Sequence, residues 1–151
     1  MVYSGAFKST LPRLNNSLNS AQIDALTTLR DYSTAAASAT TNGTPIEYPF
    51  TAQESFKVII NQAAYSSYTA TSAEWVLSLQ VSNAVAGTYV TVDSILPALA
   101  AGAASNGQEV FLSGEQINKA VAGARFLRIV ATKTGSPGNL TFGAYLVPSG
   151  C

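Results

Sequence analysis

The sequence contains no histidine. That removes the usual general base near neutral pH and the commonest transition-metal ligand together. Ser-His-Asp and Cys-His catalytic sites are excluded with it. There is one cysteine, Cys151, and it is the last residue. No intrachain disulfide can form, no zinc site of His and Cys can be built, and the fold needs no oxidising compartment. Charge is scarce as well: Asp, Glu, Lys and Arg make up 11% of the chain, where about 25% is usual. No stretch is long and apolar enough to span a bilayer. The opening MVYSGAFKSTLPRL lacks the apolar core of a signal peptide. The expectation is synthesis and assembly in a cytoplasm, with no attachment to a membrane.

The few charges that exist are balanced, 8 basic against 8 acidic. Lys8, Arg13, Arg30, Lys57, Lys119, Arg125, Arg128 and Lys133 are scattered. Strand alternation would put Arg125 and Arg128 on opposite faces. Neutralising phosphates takes a concentrated basic footprint, so nucleic acid is not an expected partner. Asp24, Asp31, Glu47, Glu54, Glu74, Asp93, Glu109 and Glu115 are too dispersed to suggest a calcium loop. Nothing places two of them in a shared pocket, as glycoside hydrolysis requires. Ser113 and Lys119 in SGEQINK do not have Ser-x-x-Lys spacing, and the glycines match no phosphate or dinucleotide loop. The reading is of a protein that is not an enzyme and carries no cofactor or metal.

What the chain does have is 151 residues, 47% of them hydrophobic. That suits one domain with a core large enough to fold unaided. Ala, Ser, Thr and Asn take the place of the missing charge. A sparsely charged surface fits one that a partner covers, since charged residues are depleted at interface cores. A Ser/Thr-rich β surface without a partner gives the same composition.

Residues 1–45 differ from the rest. Met1 to Ser20 is polar and carries Pro12. Ser20 to Tyr32 could be a short helix, with Ser20 as N-cap and Ile23, Leu26 and Leu29 three apart. The competing reading is extended chain, because Thr27, Thr28 and Thr34 are weak helix formers. Residues 1–45 are therefore expected to be an N-terminal arm, extended or with one short helix, lying against its own body or a neighbour. Thr34 to Thr44 ends in an Asn42-Gly43 turn signal.

From residue 46 to 151 strand patterns accumulate. Ser55 to Gln62 puts Phe56, Val58 and Ile60 on one face. Glu74 to Ser82 alternates Trp75, Leu77, Leu79 and Val81 against Glu74, Ser78, Gln80 and Ser82. Tyr89 to Ile95, Glu109 to Ser113 after a turn at Asn106-Gly107, Phe126 to Thr132 and Leu140 to Val147 continue the series. Lys133 to Asn139 reads as a hairpin loop joining the last two. Gly114 to Ala122 has room for a short helix. Six or seven short strands without long helices between them predict an all-β antiparallel sandwich, or jelly roll. Trp75 is in phase with Leu77 and Leu79 and is expected in the core. Tyr65 and Tyr68, in the loop AAYSSYTAT, are the candidate exposed aromatics. With Leu14 and Leu18 of the arm they make up the candidate protein interface.

The stretch ARFLRIVATKTGSPGNLTFGAYLV, Ala124 to Val147, resembles the C-terminal part of the jelly-roll cement, or decoration, proteins of tailed-bacteriophage heads. EWVLSLQVSNAVAGTYVTVDS and EVFLSGEQINKAVAGARFLRIV resemble that family's central strands and the Arg-bearing strand after them. The resemblance covers residues 54–148 and carries no residue role with it. It implies a structural protein on the capsid exterior that bridges neighbouring major capsid proteins. It also implies self-association as a homodimer or homotrimer. Two alternatives share the composition: a receptor- or glycan-binding fibre or tail module, and a small jelly-roll coat protein. The coat reading lacks the basic arm that holds nucleic acid.

Overall fold

Period-two alternation drives most of this chain into strands, and the apolar phase of each strand decides which way it faces. The computed structural model describes residues 27–51, 53–96 and 102–149. They form strands β1 (Thr28–Arg30), β2 (Thr41–Asn42), β3 (Ile46–Glu47), β4 (Ser55–Gln62), β5 (Glu74–Ser82), β6 (Val90–Leu96), β7 (Ser105–Ser113), β8 (Phe126–Thr134) and β9 (Phe142–Ser149). One helix, α1 (Gly114–Ala120), separates β7 from β8. Every strand pair is antiparallel.

The strands make two sheets, ordered β1-β9-β4-β7 and β2-β8-β5-β6, with β3 also on β8. β2 and β3 follow one another along the same edge of β8, Thr41 facing Ala131 and Ile46 facing Leu127. Counting them as one interrupted strand leaves eight, in the two interleaved four-stranded layers of a jelly roll. The fold is therefore all-β, as the alternation predicts.

The core lies between the layers. Phe56, Val58 and Ile60 of β4, with Phe142, Ala144 and Leu146 of β9, face Trp75, Leu77, Leu79 and Val81 of β5 and Leu127 and Ile129 of β8. All are essentially buried, and each large side chain removed from water stabilises the fold by about 1.5–3 kcal/mol. At one end Tyr48, Phe50 and Phe56 pack their rings 5.3–5.5 Å apart, two of the three contacts edge-on.

The helix is local in origin and tertiary in stability. Ser113 and Gln116 form a capping box: the Ser113 hydroxyl accepts from the Gln116 N–H at 3.1 Å and the Gln116 side chain accepts from the Ser113 N–H at 3.0 Å. Seven residues are too few to be helical alone. Ile117, fully buried, fastens the helix to the core beside β6 and β7. Asn118 ties it to the Phe50 carbonyl at 2.7 Å.

Four local expectations need correction. Thr28 to Tyr32 is not helical: Leu29 is the inward residue of β1, and Arg30 donates to the Phe142 carbonyl while lying 4.6 Å over its ring. From Thr27 to Glu47 the arm pairs with its own body through β1, β2 and β3, with a turn at Asp31–Thr34; Met1–Leu26 lies outside the described residues. Asn42-Gly43 does not reverse the chain. Gly43 donates to the Ile129 carbonyl and the strand resumes on β8 after an irregularity that includes Pro45, a residue tolerated at sheet edges. Asn106-Gly107 is likewise no turn but part of β7. Opposite Ile60–Gln62, which pairs with Gln108 and Ser105, it inserts one extra residue, a bulge made possible by the positive φ of Gly107. Lastly, Lys133–Asn139 is not a hairpin loop, because β8 and β9 belong to different sheets. It carries the chain across the sandwich, docked on residues 66–73.

That crossing yields a prediction. Gly135 and Gly123 both have φ near +70°, but a Cβ at Gly135 would sit on the Ser72 carbonyl oxygen, while one at Gly123 meets open space. Gly123→Ala should cost about 1 kcal/mol in urea unfolding, the left-handed penalty alone. Gly135→Ala should cost several times as much. Equal losses would mean the crossing does not dock as described.

Candidate protein interface

Four of the described acidic side chains have structural work. Glu109 pairs with Lys57 at 3.0 Å across β4 and β7. Glu47 pairs with Arg125, joining β3 to the start of β8. Glu74 accepts from the Thr71 N–H at 2.8 Å, and Asp31 accepts from both the N–H and hydroxyl of Ser33. Those two hydrogen bonds hold the Asp31 carboxyl below its ordinary pKa. Asp24 and the side chain of Asp93 lie outside what the structure describes. Among the described residues no three of His, Cys, Asp and Glu gather as a metal site. No described helix is long and apolar enough to cross a membrane.

The tyrosine loop differs from its expected role. Tyr65 is only 7% exposed and belongs to the core cluster. Its hydroxyl accepts from the Trp75 backbone N–H at 3.3 Å, and its own N–H donates to Gly102 at 2.9 Å. Trp75 is buried as expected, its indole N–H donating to the Gly138 carbonyl at 2.8 Å. Tyr65 thus supports Trp75 and has no ring face to offer a partner. Tyr68 is half-buried against the same core, its ring 6.3 Å from that of Tyr65. Hydropathy alone could not foresee this, because the loop is folded inward by contacts distant in sequence, such as Gly138 N–H on the Ser66 carbonyl. Leu14 and Leu18 lie outside the described residues.

The outer sheet faces carry two groups that the loop does not. On β5, β6 and β8, Arg128 donates through Nε and Nη2 to the Gln80 side-chain oxygen at 3.0 and 2.8 Å, and its guanidinium lies 3.9 Å over the Tyr89 ring. Gln80 passes the contact on to Thr91 at 3.3 Å. Burial raises the Tyr89 pKa, opposed by the Arg128 charge. Beside this group Ser78 and Val130, directly paired, are buried although they point away from the core. The cation is held flat on the sheet and its charge is spread over amide and ring.

On the opposite sheet, Phe111 of β7 is 63% exposed. It faces Lys57 on β4, with Ile59, Tyr145 and Val147 half-exposed in the neighbouring rows. The signal was present in the sequence: Val110 and Leu112 take the inward phase of β7, so Phe111 must share the outward phase with Glu109 and Ser113. An aromatic in the polar phase of a strand marks a surface residue that packing does not require.

No protein-family model matches the chain, and no curated protein matches it significantly.

Burial also lifts the Tyr65 hydroxyl above its ordinary pKa. For both Tyr65 and Tyr89 the folded state holds its proton longer than the unfolded state. Their contribution to stability is complete below the unfolded tyrosine pKa of about 10 and is lost as pH rises through the higher folded value. Tyr65→Phe should flatten this alkaline loss. At neutral pH it should cost about 1 kcal/mol, since the Trp75 N–H loses its acceptor. Denaturant unfolding at neutral and alkaline pH checks both, and an unchanged alkaline slope would contradict the assignment.

Proposed function

We propose that this protein is a non-enzymatic cement protein that sits on the outside of a tailed-phage head and bridges neighbouring major capsid proteins. The observation that carries the reading is a jelly-roll body whose sheet-face cations are held by partners within the chain. Lys57 is matched by Glu109, Arg125 by Glu47, and Arg128 is spread over Gln80 and Tyr89. Covering such a surface leaves neither member of the two ion pairs alone, and Arg128 keeps its hydrogen bonds and ring contact. Jelly rolls occur in viral capsid proteins and in lectins alike, so the architecture supports the reading only by analogy. The resemblance of Ala124–Val147 to decoration proteins favours the capsid side. Repetition over a shell lets modest single contacts sum.

The test is co-sedimentation of the protein with filled heads that lack it, followed by a heat challenge. Saturable binding that raises head survival is expected. Because the surface charges are satisfied internally, affinity should change less than about tenfold between low and high salt. Absence of binding would refute the proposal and redirect attention to a glycan-binding screen.

A further inference from the structure

Two sheets have four lateral edges, and three of them here are blunted. β1 is three residues long. The edge made by β2 and β3 is interrupted around Pro45. β6 has irregularities at two places against β5. β7 is different. Beyond its bulge at Gly107, Gln108–Ser113 pairs regularly with β4, and no described strand pairs its other edge. The direction of its free groups follows from the helix cap. The Ser113 N–H is taken by the Gln116 side chain rather than by β4, so by strand alternation the N–H groups of Phe111 and Glu109 also point away from β4. Among the described residues these donors have no strand partner, on an edge of regular register, and Phe111 stands beside them 63% exposed.

We propose that this edge pairs with the same edge of a second copy, antiparallel about a two-fold axis at Val110. In that register Phe111 of one copy faces Glu109 of the other. Each such pair exchanges hydrogen bonds without disturbing the Ser113–Gln116 cap, and the four-stranded sheets join into one. The two Phe111 rings become diagonal neighbours at about 7–8 Å between backbones, within reach of aromatic side chains. Charge selects a second copy over a charged foreign strand. Each Glu109 arrives already neutralised by Lys57 at 3.0 Å, and the chain as a whole has a net charge of zero, so like copies meet without repulsion. An isologous pair also closes, which ends the hazard of an open edge. This inference does not depend on the capsid reading and is tested without heads.

The experiment is sedimentation velocity of the full chain over a wide concentration range, beside Glu109→Pro and Phe111→Asp. Proline at 109 removes an N–H that β4 does not use, together with the carboxylate paired with Lys57, so it blocks the edge while leaving the ladder bonds to β4 in place, and Phe111→Asp blocks it with the Lys57–Glu109 pair intact. A reversible dimer is expected, with its dissociation constant raised at least about tenfold in each variant, equivalent to about 1.4 kcal/mol. A control, Val85→Asp, alters an exposed residue outside β7 and should leave the dimer intact. A chain that stays monomeric up to its solubility limit overturns the proposal. So does a trimer, or a dimer indifferent to both variants. If circular dichroism shows Glu109→Pro unfolded, Phe111→Asp, at a position 63% exposed, decides alone.

Discussion

Backbone groups at the margins of an open sheet must be paired, covered or left to water, and much of this domain's layout answers that demand. Two sheets with apolar inner faces are an economical way to bury Trp75, Phe56, Phe142 and their neighbours, but they leave edges that invite other chains. On one side of the sandwich the chain deals with this by continuity. β1 ends one sheet, residues 31–40 cross over, and β2 and β3 begin the other, so both margins belong to one short, interrupted stretch. On the other side α1 fills the gap between β6 and β7 and seals it with Ile117. The capping box that starts the helix also takes up the last outward N–H of β7. Among the described residues, what remains open is the short regular run before it.

The parts of this arrangement that follow from side-chain periodicity were legible in the sequence. Alternation in Glu74–Ser82 marks Trp75, Leu77, Leu79 and Val81 as inward, and all are buried. The same holds for Phe56, Val58 and Ile60, and for Leu140, Phe142, Ala144 and Leu146. Periodicity says which face a residue takes but not which sheet its strand joins. Hence Gly and Pro in Lys133–Asn139 announced a reversal, while the assignment of β8 and β9 to opposite layers depends on contacts with residues 66–73. Asn-Gly pairs misled for a related reason. The backbone freedom that makes a turn also makes a bulge, and the choice at Gly107 is set by a partner strand more than forty positions earlier in the chain. The candidate interface was legible only in part. Tyr65 looks like a loop aromatic until Trp75 and Gly102 are seen to hold it, whereas Phe111 was marked by phase.

Scarce charge takes on a definite meaning once partners are known. Among the described residues Lys57 and Arg125 are matched by Glu109 and Glu47, and Arg128 is held flat on its sheet by Gln80 and Tyr89. Such faces neither attract nor repel strongly, so shape, backbone pairing and apolar contact set what they hold. That suits a structural part laid down in many copies better than a site that must steer a charged substrate.

Residue-resolved amide exchange of the full chain at low and high protein concentration tests the central claim most directly. The account predicts slow exchange for Val110 and Leu112 at both concentrations, because β4 holds them. Glu109 and Phe111 should exchange fast when dilute and slowly when concentrated. Equal protection of all four amides at every concentration would mean the edge is covered within a single chain, and lasting fast exchange at Glu109 and Phe111 would mean that nothing pairs with it; either result would contradict the account.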